Sequence, residues 1–189
     1  IYTLSLHDAL PIYELSRIPL PSRCLESRRS SHRETEMREG AKLVSLEPRH
    51  AAIVPYLRKA DREEILASSG VPIDMAVAFS IAASSIGWAV ELHDRPVAIF
   101  GARNAGNGRG EPWLVASDVI ERYPVHFYRV SRGIIERLRR KFARLENRTD
   151  ARNVLSLRWL AWAGFEIDPP EPWGPEGLPF HRFWWEKRY

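Results

Sequence analysis

Asn153-Val-Leu-Ser-Leu-Arg-Trp-Leu-Ala-Trp-Ala-Gly-Phe165 is the stretch on which the fold turns. Leu155, Leu157, Trp159, Leu160, Trp162 and Ala163 supply the apolar content of a helix. Asn153 stands where its side-chain oxygen can accept a free backbone N–H of the first turn, an N-cap worth about 1 kcal/mol. Gly164 stands where a helix stops on a left-handed residue, and the chain passes straight into a strand at Phe165. This passage from capped helix to strand sets the frame for the segments on either side.

Upstream, Lys42 to Leu46 alternates as a first strand closed by Pro48, and Arg49 to Lys59 carries Ile53, Tyr56 and Leu57 on one helical face, broken at Pro55. Asp61 to Ser68 adds a helical turn or two through Ile65 and Leu66, and Pro72 and Asp74 open an Ala-rich helix that runs to Ser85. Trp88 to Leu92 and Val97 to Phe100 read as two strands of a hairpin turning at His93-Asp94-Arg95. Trp113 to Ala116 is the next strand. Asp118 and Glu121 then form a capping box, and Pro124 opens a long helix to about Ala143 with Phe127, Val130, Ile134, Leu138 and Phe142 in one stripe. A strand at Leu145 to Arg148 leads into the opening helix, and Phe165 to Ile167 with Leu178 to Trp185 close as a strand pair. The predicted class is α/β in the α+β sense: a mixed central sheet with helices on both faces.

Between the hairpin and the next strand lies Gly101-Ala-Arg-Asn-Ala-Gly-Asn-Gly-Arg-Gly110. Its glycines alternate at 106, 108 and 110 and run into Glu-Pro-Trp, so they do not open a helix as a dinucleotide fingerprint must, and no Lys-Ser/Thr follows as a Walker loop requires. The expected structure is a flexible hairpin loop.

The chain has 189 residues, with 28 Lys and Arg against 24 Asp and Glu for a net charge of +4. Ile1 to Ile12 resembles the conceptual translation of a sequencing adapter, and Met37 precedes the first clean strand pattern. Residues 1–36 are therefore expected to be a non-native leader without fixed structure, and residues 37–189 a single domain of ordinary size. The leader balances five arginines against five acids, so the positive charge belongs to the domain, and the one cysteine, Cys24, leaves with the leader. A cysteine-free domain uses no disulfide, thiol nucleophile or thiolate metal site, and the six histidines show no metal spacing, so no metal is expected. No secretory signal is visible. Val71 to Val90, the one membrane candidate, is rich in Ala and Ser and interrupted by Gly87, so it reads as a buried small-residue helix.

The long helix turns Arg129, Arg132, Arg137, Arg139, Arg140, Lys141 and Arg144 away from its apolar stripe. A solvated face is the default, and a phosphate-rich partner such as a cofactor nucleotide or nucleic acid, bound without sequence specificity, is the second reading. Trp159 and Trp162 are expected in the core, while Trp173, Trp184 and Trp185 near the Pro-rich tail suit a protein contact. Glu91, Glu111 and His126 are candidate bases, each with a solvated or structural role as the ordinary alternative.

The helix opened by Asn153 and closed by Gly164-Phe165 resembles the last helix of the GNAT acyltransferase fold, whose Asn lies against the acyl-CoA arm. The order of elements matches that fold. The blocks Leu57-Arg-Lys-Ala-Asp-Arg-Glu-Glu-Ile65, Phe100-Gly101, Pro112-Trp-Leu114, Asp150-Ala-Arg-Asn153, Trp159-Leu-Ala-Trp-Ala-Gly-Phe165 and Gly177-Leu-Pro-Phe180 further resemble the internal virion protein A family of short-tailed phages.

The phage resemblance implies a role in particle assembly or host interaction, virion or host proteins as partners, and a place in the host cytoplasm or virion interior. The fold resemblance implies the alternative, an acyl-CoA-dependent N-acetyltransferase with acetyl-CoA as cofactor. On it, Leu114, Val115 and Ala116 would line the cofactor groove, Asn153 would meet the pantetheine arm, and Arg122 would meet phosphate. Two departures stand against the usual chemistry of that fold. The tyrosine that protonates the departing thiolate falls at Leu160, which has no proton to give. The diphosphate turn, usually Arg/Gln-x-x-Gly-x-Gly/Ala, falls at Ser117 to Tyr123, which holds no glycine. No residue of the chain is thereby assigned as catalytic.

Overall fold

The computed structural model describes residues 40–188. The leader expected over residues 1–36 lies outside the described residues. From its N-terminus the fold runs β1 (Ala41–Ser45), a 3-10 helix (Pro48–Tyr56), α1 (Lys59–Ser69), α2 (Ile73–Ala83), β2 (Ser84–Leu92), β3 (Arg95–Gly106) and β4 (Arg109–Ala116). It continues through α3 (Val119–Arg122), α4 (Pro124–Lys141), β5 (Arg144–Asp150), α5 (Val154–Trp162), β6 (Glu166–Trp173) and β7 (Leu178–Glu186). The strands form one mixed seven-stranded sheet in the order β1-β2-β3-β4-β5-β7-β6. Every neighbouring pair is antiparallel except β4 and β5.

That parallel pair positions the site. β4 and β5 are in register only at Arg109↔Arg144 and Gly110↔Leu145, and then they part. β4 stays bonded to β3 along its whole length, and β5 to β7 from Arg144↔Glu186 to Asp150↔Phe180, so each strand follows its antiparallel partner away from the other. Pro112 has no N–H with which to continue the ladder. Asn147 Nδ2 instead donates to Pro112 O at 2.9 Å and props the opening.

The faces of the sheet are covered by different helices. On one, α4 and α5 bury Ile134, Ile135, Leu138, Trp159 and Leu160 against Phe100, Leu145, Phe165 and Phe183. On the other, the 3-10 helix and α2 bury Ile53, Val77 and Ile81 against Ala89, Ile99 and Val115. The stripe read on α4 is the buried one, since Ile134, Leu138 and the following Phe142 are all nearly inaccessible. On α5, Leu157, Trp159 and Leu160 face inward, whereas Trp162 is 38% exposed, correcting its expected place in the core. It stands edge-on to Tyr128 at 4.7 Å, outside the layer that the sheet can cover.

Several local expectations change. The glycine-rich stretch is mostly strand: β3 runs to Gly106 and β4 restarts at Arg109, with Arg103 paired to Glu111 across the ladder. Only the tip needs special backbone, where Gly106, Asn107 and Gly108 all have positive φ. Asp118 makes no side-chain cap, because its own backbone is already helical. The arginine face is only partly solvated. Arg139 donates to Ala163 O at 2.7 Å, binding the carbonyl end of α5, and lies over the rings of Phe165 and Trp185. Arg137 covers Trp88, and Arg144 covers Trp184. Among the described residues no single helix is long and apolar enough to cross a membrane, and α1 and α2 meet that test only together, across an 80° bend.

Candidate functional site

Where β4 and β5 part, a cavity of about 540 Å³ passes through the sheet. Its strand walls are Trp113, Leu114 and Val115 of β4 and Asn147, Arg148 and Thr149 of β5. On the α4/α5 face it reaches Leu138, Ser156 and Leu160, and on the opposite face it opens between α1 and α2 beside Ile65, Met75 and Phe79. The lining is predominantly apolar, with its polar side chains on α1, β5 and the start of α5 and a single serine, Ser80, on α2.

The β4 edge offers backbone to the gap. Ser117 N–H donates to Val97 O, so odd-numbered residues here bond toward β3, and even-numbered ones turn their backbone groups toward the splay. The three even positions differ in what they meet. Pro112 O takes the Asn147 amide. Ala116 is fully engaged, its N–H donating to Asp61 Oδ2 at 2.8 Å and its carbonyl accepting from Arg58 N–H at 3.0 Å. Leu114, between them, presents its N–H and C=O to the open part of the gap.

α1 bridges the two strands with carboxylates. Asp61, buried, is held by Arg58 Nη2 at 2.6 Å and ties the helix to the end of β4. One turn on, Glu64 Oε2 accepts from Asn153 Nδ2 at 2.7 Å and from Thr149 Oγ1 at 3.3 Å, tying the same helix to β5 and α5. Removal from water pushes Glu64 up to about 7, with the nearby Asp61 charge adding to the rise while the amide of Asn153 opposes it. The carboxyl lines the cavity and is poised to exchange a proton near neutral pH.

The sequence-predicted residues separate. Leu114 and Val115 line the cavity. Ala116 is buried behind the Arg58–Asp61 pair. Asn153 is buried and holds two partners: its Oδ1 accepts from Ser156 N at 3.3 Å as the cap, and its Nδ2 holds Glu64. Arg122 is exposed at the end of α3, away from the cavity lining. Leu160 lines the cavity as an apolar wall, and Ser156 is the one hydroxyl that α5 contributes to it.

The candidate bases read from sequence lie elsewhere. Glu91 is buried rather than solvated, paired with Arg49 at 2.6 Å and His50 at 3.0 Å, and Glu111 is paired with Arg103. Neither they nor His126 line the cavity. Glu64 was missed; the available signal was the i, i+3 spacing of Asp61 and Glu64, which turns both carboxylates the same way as the apolar side chains of a short helix. Among the described residues no three His, Cys, Asp or Glu side chains gather as a metal ion requires.

The diphosphate turn is replaced by a short helix. In Ser117 to Tyr123, Ile120 N–H donates to Ser117 O, Glu121 N–H to Asp118 O and Tyr123 N–H to Ile120 O, so these amides are spent within the segment. Pro124 then brings no N–H to the first position of α4.

Comparison with protein-family models and with curated protein sequences gives no match. Solved structures do match. Ard1 from Thermoplasma volcanium superposes with a TM-score of 0.64 at 9% identity, covering 79% of this chain and 99% of its own. AAC(6')-Ib in complex with ribostamycin and coenzyme A gives 0.58 at 15% identity over 78% and 94% of the two chains. An acetyltransferase of the GNAT family from Streptococcus pneumoniae gives 0.56 at 13% identity over 78% and 99%. At these identities the likeness establishes architecture: the chain has the mixed α/β fold of the GNAT acetyltransferases.

Proposed function

We propose that this chain is an acyl-CoA-dependent N-acyltransferase. The observation that carries the reading is the cavity through the splay of β4 and β5, with the carboxyl of Glu64 on its wall. An extended arm bearing amides can pair with the free groups of Leu114 as an added strand would, so the pantetheine part of an acyl-CoA fits the gap. The apolar lining, Leu160 included, suits the acyl end and excludes water from it. The diphosphate has no glycine-rich backbone cradle here. We assign a phosphate contact to Arg122 in its stead, an exposed cation at the end of α3.

When bound, an acyl-CoA supplies an electrophilic thioester carbon, at which a C–N bond to the acceptor amine forms as the C–S bond breaks. Thr149 and Asn153 hold Glu64 Oε2 and so fix the orientation of the carboxyl, and its other oxygen, Oε1, accepts the proton that the amine nitrogen loses. Ser156 is the hydroxyl on α5 that can donate a hydrogen bond to the departing thiolate, which takes its proton from solvent, where Leu160 offers no donor. Leu114 and Val115 act as groove walls, while Ala116 and Asn153 act by holding α1 across the opening. A role in particle assembly, with virion or host proteins as partners, rests on the residue blocks alone, and no structural feature favours it over acyl transfer.

Calorimetry with acetyl-CoA tests the reading: saturable binding is expected, and its absence overturns the proposal. Glu64→Gln is expected to lower acetyl transfer at least ~100-fold, the usual contribution of a positioned base, while leaving acetyl-CoA affinity unchanged.

A further inference from the structure

The mouth of the cavity on the α1/α2 face has a composition of its own. Val71, Met75, Phe79 and Trp173, which frame it, are 38%, 60%, 70% and 43% exposed. Four large apolar side chains left to water around one opening mark a surface that binds something apolar. The frame is fixed on both sides, because the β6–β7 turn rests on α1: a Cβ added at Gly174 would lie 2.0 Å from Ala67 O.

The charges are equally particular. The carboxylates of the cavity are Asp61 and Glu64, the first already spent on Arg58 and β4. Arg148 lines the same cavity, its guanidinium 3.8 Å from the centre of the Trp173 ring, and it meets no carboxylate among the described residues. A stacked guanidinium with its donors uncommitted is a ready site for a planar carboxylate. A polycationic acceptor would find no further anion here and would face Arg148.

We infer that the acceptor is an α-amino acid with an apolar side chain, its body against Met75 and Phe79, its carboxylate on Arg148 and its amine toward Glu64. This rests on the acyl-transfer reading for the chemistry, but the binding can be tested without it. The chain has two methionines, Met37 and Met75, so methyl-labelled methionine places one reporter at the mouth. Titration of the full chain with L-phenylalanine is expected to shift the Met75 methyl resonance saturably. L-phenylalaninamide, which keeps the ring and amine but lacks the carboxylate, should bind at least about tenfold more weakly, the loss expected for a charge-assisted hydrogen bond.

Arg148→Gln should erase that difference. Phe79→Ser, an uncharged change at an exposed position that does not support the core, should weaken both ligands and keep their ratio. Equal or tighter binding of the amide or of ribostamycin, or no response of Met75 to phenylalanine, overturns the inference. Saturable binding of phenylalanine without acyl transfer supports the amino-acid site and counts against the transfer reading alone.

Discussion

Glu64 shows how one side chain can carry both a cost to the fold and a use. Its carboxyl has an ordinary value of 4.5 and is pushed up to about 7 in the folded chain. The fold therefore holds a proton that the unfolded chain releases between those two values. The stability tied to this proton is complete below about 4.5 and is lost as the pH rises through 7. Urea midpoints are expected to fall between pH 5.5 and pH 8, and Glu64→Gln, which cannot ionise, should flatten that slope. The catalytic requirement runs the other way, since a base must be ionised to accept a proton. Acyl transfer per acetyl-CoA bound is expected to rise with pH through about 7, and the rise should vanish in Glu64→Gln. Leu160, across the same cavity, titrates nothing and supplies only a dry wall.

Among the elements, α1 matters most, because it is bonded to both edges of the opening: Asp61 reaches Ala116 on β4, and Glu64 reaches Thr149 on β5 and Asn153 at the start of α5. Asn153 joins two duties that sequence reading treats as alternatives, capping α5 and holding α1. Asn153→Ala is expected to cost about 2 kcal/mol in a denaturant melt, roughly one for the cap and one for the lost bond to Glu64. A pure cap would cost only half of that. The β6–β7 hairpin is the second brace. Gly174 has φ of 73° and no room for a side chain against Ala67, so Gly174→Ala should destabilise by more than about 1 kcal/mol, measured by the same melt.

At the scale of the molecule, the sheet is two antiparallel blocks, β1-β2-β3-β4 and β5-β7-β6, joined by two residue pairs. A ligand seated between the blocks is bound by the folded state alone and so stabilises it. At a hundredfold excess over its dissociation constant, acetyl-CoA should add about 2.7 kcal/mol, roughly 5–10 °C in melting temperature for a domain of this size.

The succession of elements was legible in the residues themselves, because capped helices, apolar stripes and alternating strands are written in spacings of two, three and four. The start of α5 at Asn153, the stripe of α4 and the missing glycines after β4 all belong to that class. The splay, the fate of Arg139 and the meeting of Glu64 with Asn153 do not, because they join residues far apart in the chain. No local spacing reports a hydrogen bond between positions 64 and 153. From sequence alone came a mixed sheet with helices on both faces and a diphosphate turn without glycines. Tertiary structure decided that α1 lays two carboxylates across the opening, since only packing brings those strands and that helix within reach of one another.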